Sequence, residues 1–97
     1  MEADISSPKK LLGWLKSSGL LTKYGLNKVG VFGSFARNEP YADIDLLVDD
    51  PVINWKLLRG FCDEFQEKTR IKLDIMVRQY AEPLILKSAE KDLIYEA

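Results

Sequence analysis

The sequence predicts a single α+β domain over residues 1–97, a small mixed sheet of three strands with helices packed against it. Helix-type and strand-type segments alternate along the whole chain, with no internal repeat, linker or low-complexity tract. Alternation alone would suit a parallel sheet. Only nine residues separate Gly33 from Asp43, however, fewer than the dozen or so that a parallel crossover needs. The first two strands should therefore run antiparallel or lie in a mixed sheet. A chain of this length buries roughly two thirds of its unfolded surface, enough for one core.

Each element has its own signal. Ser6-Ser7-Pro8 starts a helix, a hydroxyl cap followed by proline in the first turn. Leu11, Leu12, Trp14 and Leu15 give it an apolar stripe, and Ser17-Ser18-Gly19 weakens or ends it. Leu20, Leu21 and Tyr24 suggest a further short turn before Gly25. Lys28 to Phe32 is the first strand, with Val29 and Val31 β-branched. A short helix from Ser34 to about Asn38 follows, closed by Pro40. Asp43 to Val48 is the second strand, stopped by Asp49-Asp50-Pro51. Asn54 or a neighbour caps the next helix, whose apolar residues Trp55, Leu58, Phe61, Cys62 and Phe65 follow i, i+3, i+4 spacing. Gly60 costs that helix about 1 kcal/mol relative to alanine. Lys72 to Val77 is the third strand, with Leu73, Ile75 and Val77 on one face and Asp74 and Met76 on the other. Pro83 opens a last, mostly helical segment running to about Tyr95. Trp14, Trp55 and Cys62 read as core residues. The four tyrosines show no grouping that suggests base stacking.

Composition narrows the chemistry. The net charge is −1 and the lysines and arginines are dispersed, so no basic field draws the chain to nucleic acid or to a membrane surface. Direct nucleic-acid binding is not expected. Cys62 is the only cysteine, which excludes an internal disulfide and fits a reducing cytoplasm. No apolar run approaches a membrane span, and Met1-Glu2-Ala3-Asp4 lacks a signal-peptide core. There is no histidine. A Ser-His-Asp triad, a Cys-His pair and a His-bearing zinc site are all excluded. Proton transfer would fall to Asp, Glu, Lys or Tyr.

The informative pattern is Gly33-Ser34 shortly before Asp43-Ile44-Asp45. An apolar strand ending in Gly-Ser suits a turn that cradles phosphate, since glycine allows close backbone approach and helix-start amides attract phosphate oxygens. The Ser34 hydroxyl adds a donor. Period-2 geometry sets the Asp43 and Asp45 carboxylates on one face, their Cα atoms about 6.5–7 Å apart, with Ile44 and Leu46 pointing into the core. Such carboxylates suit Mg²⁺, which takes oxygen ligands together with substrate phosphates. Arg37, one helical turn after Ser34, is within reach of the same triphosphate. Asp74 interrupts an apolar strand that could lie beside Asp43–Val48. It could complete the metal cluster or take a proton from an acceptor hydroxyl.

These segments together resemble the minimal nucleotidyltransferases of the DNA polymerase β superfamily. The carrying residues are Val31-Phe32-Gly33-Ser34-Phe35-Ala36-Arg37, Asp43-Ile44-Asp45-Leu46-Leu47-Val48 and Leu73-Asp74-Ile75-Met76-Val77. Outward, the resemblance takes in Lys23-Tyr24-Gly25-Leu26 and Ile94-Tyr95-Glu96-Ala97, so it covers roughly residues 20 to 97. It implies a polymerase β palm-like α+β fold. It implies that Gly33 and Ser34 hold the triphosphate with help from Arg37. Asp43 and Asp45 would bind Mg²⁺, two ions in such sites, with Asp74 as third carboxylate and base. ATP is the implied donor. Stand-alone members of this size often act as antitoxins paired with an all-helical HEPN toxin, and some transfer AMP to a tyrosine of that toxin. Two other readings accompany this one: a non-catalytic module that neutralises its partner by occlusion, and transfer to a small hydroxylated molecule. The sequence departs from the family pattern at three places. Asn38 stands where glycine is usual, Ala42 where serine or threonine is usual, and the linker is a couple of residues short. Asn tolerates left-handed geometry, so the turn can survive its substitution.

Overall fold

Ser7 and Pro8 start the first helix where the hydroxyl–proline pair predicts it. In the computed structural model, which describes residues 3–50 and 54–95, Ser7 Oγ accepts the N–H of Lys10 at 3.2 Å, and α1 runs Pro8–Ser17. There follow α2 (Leu20–Lys23), β1 (Val29–Phe32), a single turn α3 (Gly33–Ala36), β2 (Asp43–Val48), α4 (Trp55–Thr69), β3 (Lys72–Val77), α5 (Pro83–Glu90) and β4 (Ile94–Tyr95). A 3₁₀ turn, Arg78–Tyr80, joins β3 to α5. Asn54 caps α4 as expected, its side-chain oxygen accepting the N–H groups of Lys56 and Leu57. Pro51, part of the expected stop after β2, and Glu96-Ala97 of the closing motif lie outside the described residues, as do Met1 and Glu2.

The sheet is mixed, with strand order β3-β2-β1-β4. β1 and β2 are antiparallel, as their short connection requires, with Phe32 opposite Asp45 and Val29 opposite Val48. The α4 crossover brings β3 parallel to β2, with Asp45 opposite Asp74. Two expectations about the strands need correction. Among the described residues the sheet has four strands rather than three, and the last segment is not helical to Tyr95. Helix α5 ends at Glu90, and Ile94–Tyr95 then pairs antiparallel with β1, Val31 facing Ile94. Two residues are too few to show a period, so β4 left no pattern to read.

The core lies on the face of the sheet away from Asp43 and Asp45. Val31, Ile44 and Leu46 are fully buried there, against Leu11 and Leu15 of α1 and Phe61 and Phe65 of α4. This follows from strand alternation, which turns Ile44 and Leu46 inward while the aspartates between them face the other way. Cys62 packs against this core with part of its surface exposed. Trp14 is buried, but Trp55 is not the packing residue its spacing suggests. It is 58% exposed at the first turn of α4, beside the still more open Tyr80 at a ring-centroid distance of 5.7 Å. The first residue of a helix overhangs the neighbouring layer, so helical periodicity carries little weight there. Gly60, an unfavourable residue in mid-helix, has a steric role. A Cβ at this position would lie 2.8 Å from the Tyr24 ring, which packs edge-on against Phe61.

Tyr24 is held by Glu64 on the same helix. Glu64 accepts hydrogen bonds from Lys23 Nζ at 2.6 Å and Tyr24 Oη at 2.7 Å, tying α2 to α4. These bonds, the lysine's first, hold the Glu64 carboxyl down at about 2, against 4.5 ordinarily. A folded pKa below the unfolded one gives stability that is complete above the unfolded value and is lost as pH falls through the folded one. Melting temperatures measured from pH 6 down toward pH 2 should therefore fall more steeply for the wild type than for Glu64→Gln. At pH 7 the variant should be less stable by about 0.2–1 kcal/mol, the range of a solvent-facing ion pair. Parallel acid limbs in the two proteins would contradict this role for Glu64.

Candidate active site

Alternation along β2 and the parallel register of β3 set Asp43, Asp45 and Asp74 on one face near one end of the sheet. Asp45 and Asp74 are direct cross-strand neighbours, and Asp43 lies opposite Lys72. The neighbouring strand β1 ends at Phe32, opposite Asp45, and turns into α3. Gly33, the first residue of α3, has φ 76°, a left-handed conformation natural to glycine. The Asp45 carboxylate presses directly on Gly33, with its Oδ2 in the space that a Cβ would fill. Glycine is thus required here twice, by its backbone angle and by the carboxylate beside it. No side chain caps α3.

The altered linker keeps its turn. Asn38 takes the left-handed conformation, φ 63°, which the usual glycine would adopt. The Glu39 N–H closes the loop onto the Ser34 carbonyl at 3.0 Å. Ala42 is exposed just ahead of β2.

The electrostatics favour a cation. Burial first, then the negative charges of Asp74 and Asp43, push the Asp45 carboxyl above its ordinary value, while Arg37 pulls it the other way. A divalent ion would relieve that repulsion. Among the described residues no three acidic side chains converge into a closed ligand cluster. Mg²⁺ does not require one, since it is usually held by one or two carboxylates together with substrate phosphates. The donor set, all carboxylate oxygens, is therefore chemically suited to that ion.

Arg37 stands beside the turn, with Nη2 3.5 Å from Ser34 Oγ. Asp92 and Glu39, which sequence reasoning missed, grip the same guanidinium. Asp92 accepts from Nη1 at 2.6 Å and Glu39 from Nε at 3.0 Å. Both carboxylates, Asp92 foremost, hold Arg37 more firmly protonated than usual. Asp92 had no motif to reveal it, because it reaches the site only through the pairing of β4 with β1. Phe32 with Leu84, Ile85 and Ala89 of α5 lines an open cleft of about 340 Å³, with Arg37 and Asp92 also in its wall. The six residues named from the sequence thus fall into one neighbourhood: Gly33, Ser34 and Arg37 on the turn, Asp43, Asp45 and Asp74 on the adjoining strands.

The mixed sheet carries its paired aspartates beside a Gly-Ser turn, the arrangement that the resemblance to the nucleotidyltransferases implies. Residues 17–95 match the family described as nucleotidyltransferase domain, and the chain belongs to that family. It is similar to a protein of Methanocaldococcus jannaschii named as a candidate protein adenylyltransferase, MJ0126. The two are 37% identical over 83 residues, covering 78% of this chain and 82% of the relative. A second such protein from the same organism, MJ1217, is 35% identical over 81 residues with the same coverage of each chain. Among solved structures, a chain of the MntA–HpeT toxin–antitoxin complex superposes with a TM-score of 0.67 at 13% identity, over 82% of this chain and 68% of that one. A chain from the complex of a tri-AMPylated Shewanella oneidensis HEPN toxin with its MNT antitoxin gives 0.62 at 17% identity, over 82% and 65%. At such identities the structural likeness establishes the fold.

Proposed function

We propose that this nucleotidyltransferase moves AMP from ATP to a hydroxyl group of a partner protein, as the antitoxin of an all-helical HEPN-type toxin in the cytoplasm. The observation that carries the reading is the placement of Asp45 directly beside Asp74 and against Gly33, which joins carboxylates and phosphate turn into one site. The names of the relatives support protein adenylylation, and the two solved complexes support a HEPN partner. Among the described residues no helix is long and apolar enough to cross a membrane.

In this reading Gly33 and Ser34 seat the triphosphate and Arg37 steadies it. Asp43 and Asp45 would hold Mg²⁺, which would supply charge neutralisation of the phosphates there. Asp74 accepts the proton of the acceptor hydroxyl. The hydroxyl oxygen bonds to the α-phosphorus, the bond to the β-phosphate breaks, and pyrophosphate leaves. The left-handed Asn38 and the Glu39–Ser34 backbone bond keep the turn closed despite the short linker, so the departures from the family pattern do not by themselves argue for simple occlusion of the partner.

The test is direct. The purified chain, ATP labelled on the α-phosphate, Mg²⁺ and the helical product of a neighbouring gene should give a labelled partner and free pyrophosphate. Chelation of the metal should stop the labelling. An unlabelled partner, from a chain that also fails to bind ATP, would end this reading.

A further inference from the structure

The three nitrogens of the Arg37 guanidinium meet three different groups. Asp92 takes Nη1, Glu39 takes Nε, and Nη2 faces Ser34 Oγ. The one nitrogen that neither carboxylate holds is thus the one directed at the Gly-Ser turn. A partly exposed arginine without restraints would sample many rotamers, whereas a planar guanidinium held at two of its nitrogens has a fixed plane and a fixed direction for the third.

Both grips are anchored through the backbone. The Glu39 N–H is bonded to the Ser34 carbonyl at 3.0 Å. The Asp92 N–H is bonded to the Ala89 carbonyl at 3.1 Å, and the chain then enters β4, where Ile94 faces Val31. Continuing that register sets Asp92 level with Gly33. Asp92 is the firmer of the two, its side chain 24% exposed against 53% for Glu39, with the shorter contact.

We infer that Asp92 is a positioning residue for nucleotide binding: it fixes Arg37 so that Nη2 faces the phosphates of a nucleoside triphosphate seated at Gly33-Ser34. The inference rests on the reading of that turn as the triphosphate seat. A carboxylate that merely competed with phosphate for the arginine would give an effect of opposite sign.

The experiment is a thermodynamic cycle. ATP is titrated in the presence of Mg²⁺ into the wild type, Asp92→Asn, Arg37→Ala and the double variant, with thermal melts of each. Asp92→Asn keeps the shape and loses the charge, and it should raise the Kd for ATP about tenfold. Asp92→Glu should recover part of that loss. In the Arg37→Ala background Asp92→Asn should have no further effect, since its action runs through the arginine. A Kd unchanged or lowered by Asp92→Asn overturns the inference, and so does an equal loss in both backgrounds. Should Asp92→Asn fail to fold, Asp92→Glu supports the same cycle, its shift in Kd expected to vanish with Arg37→Ala. A wild type that binds no ATP removes the triphosphate seat and the inference together. A wild type that binds ATP with no effect at Asp92 removes the inference alone.

Discussion

Asparagine in place of Asp45 is expected to stop nucleotidyl transfer while leaving the chain folded and slightly more stable. Asp45 is half-buried, directly opposite Asp74 on β3, with Asp43 two residues away on the same face. Like charges set opposite each other across a sheet oppose pairing, by about 0.2–1 kcal/mol for such a pair. Asparagine removes the charge and keeps the volume, so the melting temperature should rise by roughly 1–5 °C without metal. Transfer should fall by roughly 10²–10³-fold or more, the scale of losing one preorganised electrostatic partner in an active site. The wild type should gain stability when Mg²⁺ and nucleotide are added, and the variant should gain little. Melting curves with and without Mg²⁺ and nucleotide, beside the labelling assay, decide the matter. A variant that transfers normally would remove Asp45 from the chemistry, and one that melts below the wild type would contradict the charge repulsion.

Gly33→Ala is expected to damage stability and activity together. The backbone angle at Gly33, φ 76°, is strained for any residue with a Cβ. The added methyl would also overlap the Asp45 carboxylate. The strained angle alone costs of order 1–3 kcal/mol. Relief of the overlap must move the Asp45 side chain, and a displacement of about 1 Å in a catalytic group lowers rates by about 10²-fold. Urea denaturation should show the lost stability, and labelling under conditions where the variant is still folded should show the lost rate. Ser34→Ala is the useful contrast, because it leaves backbone and carboxylate in place and should affect nucleotide binding with little loss of stability. If Gly33→Ala matches the wild type in both measurements, the contact with Asp45 has no mechanical role.

Much of this site could be read from the sequence, for identifiable reasons. Alternation along Asp43–Val48 is short-range geometry, and it sets both aspartates opposite Ile44 and Leu46 independently of any tertiary contact. The nine-residue connection after Gly33 ruled out a parallel crossover by reach alone. Asn38 could be recognised as a tolerable replacement because few residues other than glycine accept its angle. What escaped depends on contacts distant in sequence. Ile94–Tyr95 is too short to show a period, and its place beside β1 is decided by packing. Asp92 was missed because it depends on that placement. Trp55 is exposed where its spacing suggests packing, because helical spacing says nothing about whether the first turn of a helix overhangs its neighbours.

The edge strand β4 also fixes the order in which the site can be assembled. β1, α3 and β2 are consecutive and close over a short span, so the turn and two of the aspartates require little loss of chain entropy to come together. Asp74 must wait for α4 to complete its crossover. Asp92 must wait until the chain returns to β1, the most distant pairing in the sheet. On a ribosome, where synthesis runs from the N-terminus, the Gly-Ser turn would exist before the carboxylate that braces Arg37 has emerged. The brace on Arg37 would then arrive only with β4.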